Sequence, residues 1–177
     1  ARARGGLNYG SGGNGTMNHL TGALFARAAG IEMTHVPYRG SAPAMTDVMG
    51  GQIPALMESL PTALGNIRAG RLRSLASSEA AADPALPGVP SFAEAGFPTV
   101  QSTNWFGFST AAGIPDAVVA RWTAVITGAL AASALRERFA AIGVRPGALG
   151  PEGYTALIRD ELDRWREVIR SAGITAE

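Results

Sequence analysis

At 177 residues and 46% apolar composition, the chain is long enough for one domain with a smaller appended piece, and apolar enough to bury a sizeable core. Its net charge of +1 gives no electrostatic footprint for nucleic acid or for an anionic membrane surface. Every basic residue is arginine and there is no cysteine, which excludes lysine-dependent chemistry, disulfides, thiolate metal sites and cysteine nucleophiles.

The opening ARARGG is basic with no apolar run behind it, so no signal peptide is read there, and no apolar run reaches the length of a bilayer span. Leu7–Tyr9 reads as a short strand entering the loop GSGGNGT. Apolar residues at Met17, Leu20, Leu24, Phe25 and Ala28 then give helical spacing over 16–29, with Gly30 as the stop. Met33–Pro37 is a second strand. Ser41 is expected to cap a helix that carries Pro43 in its first turn and runs to Gly50-Gly51. Ile53–Met57 is expected as a third strand, Pro61 to about Ala69 as a helix, and Leu72–Ala76 as a fourth strand. Alternating strands and helices with short connectors predict a parallel sheet covered by helices on both faces. Four loops, Gly10–Gly15, Tyr38–Gly40, Glu58–Leu60 and Ser77–Glu79, then converge on its carboxyl edge.

Asp83–Pro90 is a proline-rich loop, and Ser91 with Glu94 forms a capping box for one helical turn over 92–95. The stretch STNWFGFS reads as extended. Beyond it the chain turns helical: a helix opening at Pro115-Asp116 with Val119, Trp122, Ile126 and Leu130 on one face, then Ser133–Ile142 and Pro151–Ser171. A boundary is placed near Thr110. Trp122, Tyr154 and Trp165 are read as packing residues.

Gly10, Gly12 and Gly15 satisfy G-x-G-x-x-G between a strand and a helix. In a chain with 23 glycines the match is weak, and the second strand ends in Pro37-Tyr38-Arg39 where a ribose-binding acid is required. The partial Walker pattern lacks its lysine. A simpler reading uses the orphan N–H groups and positive dipole end of a helix, which glycines leave open to a ligand and which Ser11, Asn14 and Thr16 supplement with short polar groups. Such a cradle takes a carboxylate or phosphate. The competing reading, of equal weight, is an ordinary cap by Asn14 or Thr16 on a glycine turn. His19, one turn into the helix, either faces the cleft or takes a surface or packing role, with the second preferred; His35 is read as structural, and no His/Asp/Glu cluster has metal-ligand spacing. Glu58 ends the third strand, either as a ligand acceptor or as a plain capping acid. Trp105 and Phe106 are read as core of a crossing strand or as a pocket wall, with core preferred.

Several stretches together resemble one family. YGSGGNGTMNHLTGALFARAAGIEMTHVPYRGSAPAMTDVMGGQI, LPTALGNIRAGRLRSLA, PALPGVPSFAEAGFP, NWFGFSTAAGIP, RERFAAIGVRP and RWREVIRSAGI follow, in order, the pattern of the tripartite tricarboxylate transporter receptors, also called the Bug family of solute-binding proteins. The resemblance implies an α/β fold of the type II periplasmic-binding-protein kind, with residues 7–109 as the second, ligand-binding lobe. Residues 110–177 are then the mainly helical return segment of an incomplete first lobe, and the family's first-lobe loop falls outside this chain. It further implies a non-catalytic, periplasmic receptor without cofactor, which takes a small carboxylate and partners the membrane permease subunits, with no nucleic acid and no direct membrane insertion.

Ser11, Gly13, Gly15 and Thr16 then carry over as carboxylate contacts, alongside Gly12 and Asn14 of the same loop. Glu58 departs from the aspartate frequent in relatives. Tyr38, Glu58 and Asn104 are expected to read the rest of the solute, and Trp105 to stand where the chain crosses back between lobes. With one jaw of the clamp absent, weak affinity and exposed apolar faces on the return helices are expected. The alternatives are a nucleotide-dependent α/β enzyme using Gly10–Gly15, or a fragment that binds nothing.

Overall fold

The computed structural model describes residues 6–147 and 149–175; the basic start read at 1–5 lies outside them. The chain divides into two units, one taking the sequence up to Asn104 together with the segment from Trp165 onward, the other Trp105–Arg164.

In the first unit, β1 (Leu7–Ser11), β2 (Met33–Pro37) and β3 (Ala55–Leu56) form a parallel sheet in the order β2-β1-β3. The connecting helices are α1 (Met17–Ala29) and α2 (Ser41–Met49), and α3 (Leu60–Arg68) follows β3. With right-handed crossovers, α1 and α2 take opposite faces, because β1 is followed by a strand on one side and β2 by a strand beyond β1 on the other. The carboxyl ends of β1 and β3 therefore flank the topological switch point, where open α/β sheets place their ligands.

Alternation along β1 separates the two faces. Tyr9, 2% exposed, points to the α1 side and donates its hydroxyl hydrogen to the His19 carbonyl at 3.1 Å. A Cβ at Gly22 would land on the Tyr9 ring, so only glycine lets α1 lie this close to the sheet. On the other face a Cβ at Gly10 would press on Ile53 and Tyr38. Thr16 caps α1, its Oγ1 accepting from the His19 N–H, and Gly30 ends the helix in the left-handed conformation at φ 60°.

Three expectations are corrected. The cap of α2 is Gly40 at φ 108°, with Ser41 as the first helical residue and no side-chain cap. The third strand shrinks to Ala55–Leu56, since only these two residues pair with Tyr9 and Gly10, and the Pro54 ahead of them has no N–H for a ladder. Leu72–Ala76 forms no strand: among the described residues nothing pairs with it, Leu75 is 66% exposed, and only an isolated Ser77–Ser91 bridge follows.

The Ser91–Glu94 box forms as read. The Ser91 N–H donates to Glu94 Oε2 at 2.7 Å and the Glu94 N–H to Ser91 Oγ at 3.2 Å, around a turn instead of a regular helix. This segment packs on the outer side of α1, with Phe92 and Phe97 at 4.9 and 5.3 Å from Phe25. Ser102 fastens it, accepting from Thr21 Oγ1 at 2.8 Å, while its N–H donates to the Ser78 carbonyl.

The second unit holds α4 (Asp116–Ala131), α5 (Ser133–Ala141) and most of α6 (Pro151–Ser171), which crosses into the first unit at Trp165. Trp165 is buried as expected. Trp122 is not: no residue of α4 or α5 is buried, and Val118, Trp122 and Val125 leave an apolar face of α4 open to solvent. Among the described residues no single helix is long and apolar enough to cross a membrane.

Candidate functional site

The loop between β1 and α1 turns at Gly13 and Gly15, whose φ values of 149° and 68° suit glycine. Its inward groups are mutually satisfied. The Gly13 N–H donates to Ser11 Oγ at 3.3 Å, and Thr16 Oγ1 donates to the Gly13 carbonyl at 2.8 Å. The Gly15 N–H donates to His19 Nδ1 at 3.1 Å. Ser11, fully buried, also meets His35 Nε2 at 2.7 Å. What remains unpartnered among the described residues is the set of N–H groups of Gly12, Asn14, Met17 and Asn18. They lie at the N-terminus of α1, where the helix dipole favours negative charge.

Beneath the loop, the His19 and His35 rings stack at 3.6 Å between centroids and 11° from parallel. The Tyr9 ring, on the neighbouring strand, lies 5.2 Å from that of His35. Burial lowers the pKa of both histidines; for His35, burial and then the charge of His19 bring it to about 4. Both are neutral at pH 7. A single-sequence reading treats two histidines on different elements as unrelated, and the pairing of Tyr9 with His35 across β1 and β2 is what brings them together.

The remaining site candidates fall around the same sheet edge or away from it. Glu58 follows β3, and its Oε1 accepts from the Ser59 N–H at 2.7 Å and from Asn18 Nδ2 at 3.2 Å. The second of these bonds ties the carboxylate to the first turn of α1. Its Oε2 is buried with no hydrogen-bond partner among the described residues. Asn104 donates to Ser59 Oγ at 2.6 Å, which brings it to the same corner. Tyr38 donates its hydroxyl hydrogen to Asp47 Oδ2 at 2.7 Å, and that bond, with burial and the Asp47 charge, raises its pKa. Asn14 donates its side-chain amide to the Thr175 carbonyl at 2.8 Å. Trp105 belongs to the second unit, where its ring meets Tyr154 edge-on at 5.7 Å and its indole Nε1 is buried without a partner among the described residues. Among the described residues no group of histidines and carboxylates is placed to hold a metal ion.

The fold is thus α/β, a parallel sheet flanked by helices, with open amides at the helix end beside its switch point. Residues 1–174 match the model of the tripartite tricarboxylate transporter family receptor, and the chain belongs to that family. It is 37% identical over 164 residues to the UPF0065 protein in the tcbD-tcbE intergenic region of a Pseudomonas species, covering 92% of this chain and 49% of that protein. Among solved structures it is similar to R. palustris Rpa4515 with adipate, at 32% identity and a TM-score of 0.90, covering 99% of this chain and 59% of that one. MatC from Rhodopseudomonas palustris with bound malate is 28% identical, with a TM-score of 0.81, covering 92% and 56%. The chain thus spans about half the length of the first curated relatives it matches.

Proposed function

We propose that the protein is the solute-binding receptor of a tripartite tricarboxylate-type secondary transporter, acting in the periplasm as a non-catalytic module. It captures a small carboxylate and passes it to membrane permease subunits. The observation that carries this is the row of unpartnered amides at the α1 N-terminus, of Gly12, Asn14, Met17 and Asn18, in a chain of this family. The bound adipate and malate of the solved relatives support a dicarboxylate scale of ligand. In this reading Ser11, Gly13, Gly15 and Thr16 shape the loop through their internal bonds, and the outward amides clamp the carboxylate.

Glu58 reads the rest of the solute. It stands beside the first turn of α1 through Asn18, and a carboxylate there favours a hydroxyl or ammonium on the ligand and disfavours a second carboxylate beside it. Asn104 supplies a further polar group for the same solute. Nucleotide-dependent chemistry is not favoured, because β2 ends at Pro37 and is followed by Tyr38 and Arg39, with no acid for a ribose.

The test is a thermal-shift and calorimetric panel of adipate, malate and related acids against the full chain. A ligand that binds only the folded state raises the melting temperature by an amount that grows with its concentration. No shift with any acid at millimolar concentration overturns the reading.

A further inference from the structure

We propose that His19 and His35 are positioning residues for the anion loop, a stacked neutral pair that engages the Gly15 amide and the Ser11 hydroxyl and so fixes which amides point outward. The inference rests on the reading that this loop takes the carboxylate.

The hydrogen-bond chemistry sets the protonation of one ring. A backbone N–H only donates, so His19 Nδ1, which receives the Gly15 N–H at 3.1 Å, carries no proton, and the ring proton sits on Nε2. The second ring works from the neighbouring strand, with His35 Nε2 at 2.7 Å from Ser11 Oγ. Ser11 in turn receives the Gly13 N–H. Each histidine therefore engages one of the loop's polar groups, and the Gly13 and Gly15 N–H groups are taken up by side-chain hydrogen bonds. The stack at 3.6 Å couples the two rings, so that shifting one disturbs the anchor of the other.

From β1, Tyr9 closes the arrangement: its ring lies 5.2 Å from His35 and its hydroxyl bonds the His19 carbonyl, which fixes the backbone of α1 at this turn. His19 itself is 7% exposed and lies behind the loop, so it orients the binding groups without being one. A pure packing role predicts that shape alone matters at these positions. A positioning role predicts that the acceptor atom matters.

The test has two arms. Long-range nitrogen–proton NMR on the full chain at pH 7.5 is expected to show His19 as the Nε2–H tautomer, with a Gly15 amide slow to exchange; an Nδ1–H tautomer overturns the inference. In the second arm, adipate titrations compare His19→Asn, which keeps an acceptor near the Nδ1 position, with His19→Leu, which does not. The leucine variant is expected to lose about tenfold in affinity and the asparagine variant about threefold or less. Equal losses in both overturn the inference. Should His19→Leu fail to fold, His35→Gln and His35→Leu provide the same contrast at Ser11. If the unsubstituted chain binds no adipate, the functional reading falls, and the positioning inference is then decided by the tautomer and the Gly15 amide alone.

Discussion

His35 Nε2 lies 2.7 Å from Ser11 Oγ, so a residue of β2 fixes the end of β1 at the point where the glycine loop begins. This bond and the stack on His19 depend on two neutral rings. Burial, then the charge of His19, holds His35 at about 4 against an ordinary 6.5. Between those values the unfolded chain takes up a proton that the native chain refuses, so stability is full above about pH 6.5 and falls as the pH drops toward 4. At about 1.4 kcal/mol per pK unit, discounted for partial solvation of the ring, the loss from His35 is about 1–2 kcal/mol. Urea unfolding at a series of pH values measures it, and His35→Gln is expected to flatten that part of the profile. Stability that increases on acidification through this window contradicts the assignment.

Tyr9 and Gly22 set the distance between α1 and the sheet. Gly22→Ala places a methyl group on the Tyr9 ring and is expected to cost about 1–3 kcal/mol, by overpacking. Gly128, inside α4, has open space where a methyl group would go, so Gly128→Ala is expected to be neutral or to stabilise by up to about 1 kcal/mol. Chemical denaturation of the two variants side by side gives the comparison, and similar effects at both positions would rule out the packing argument.

Glu58→Gln changes an acceptor-only carboxylate into a group that also donates, while keeping its shape. Asn18 and Ser59 still find the amide oxygen, so folding is expected to survive. Discrimination between a hydroxylated dicarboxylate such as malate and its unhydroxylated counterpart is expected to fall about fivefold or more, read by calorimetric titration. An unchanged preference removes Glu58 from solute recognition.

Ser91→Ala deletes one half of the reciprocal bond with Glu94 and leaves the Glu94 N–H without its acceptor. A cost of about 1 kcal/mol in thermal or urea unfolding is expected. This turn packs on the outer side of α1, through Phe92 on Phe25, so adipate affinity is expected to stay within about twofold. A large loss of affinity with unchanged stability would contradict a purely structural turn.

Much of this was legible without coordinates. The helix over 17–29 follows from apolar spacing between Thr16 and Gly30, and both ends form with the expected geometry because capping is local chemistry. The Ser91–Glu94 box is equally local and forms in full. The strand at 33–37 and the long helix at 151–171 have the bounds their sequence patterns give. Family membership likewise follows from stretches spread along the chain.

Non-local features were not legible. Leu72–Ala76 has strand-like composition, yet a strand exists only where a neighbour offers its N–H and C=O groups, and none among the described residues does. Trp122 has core-like spacing on α4, yet burial needs a covering surface as well as a pattern, and it stands 55% exposed. The sequence by itself determined the local grammar: the α1 caps, the glycine turn, and the absence of lysine and cysteine chemistry. Only the tertiary structure decided that His19 and His35 stack beneath that turn and that Glu58 reaches Asn18, because strand register and helix packing bring together side chains whose separation along the chain carries no signal.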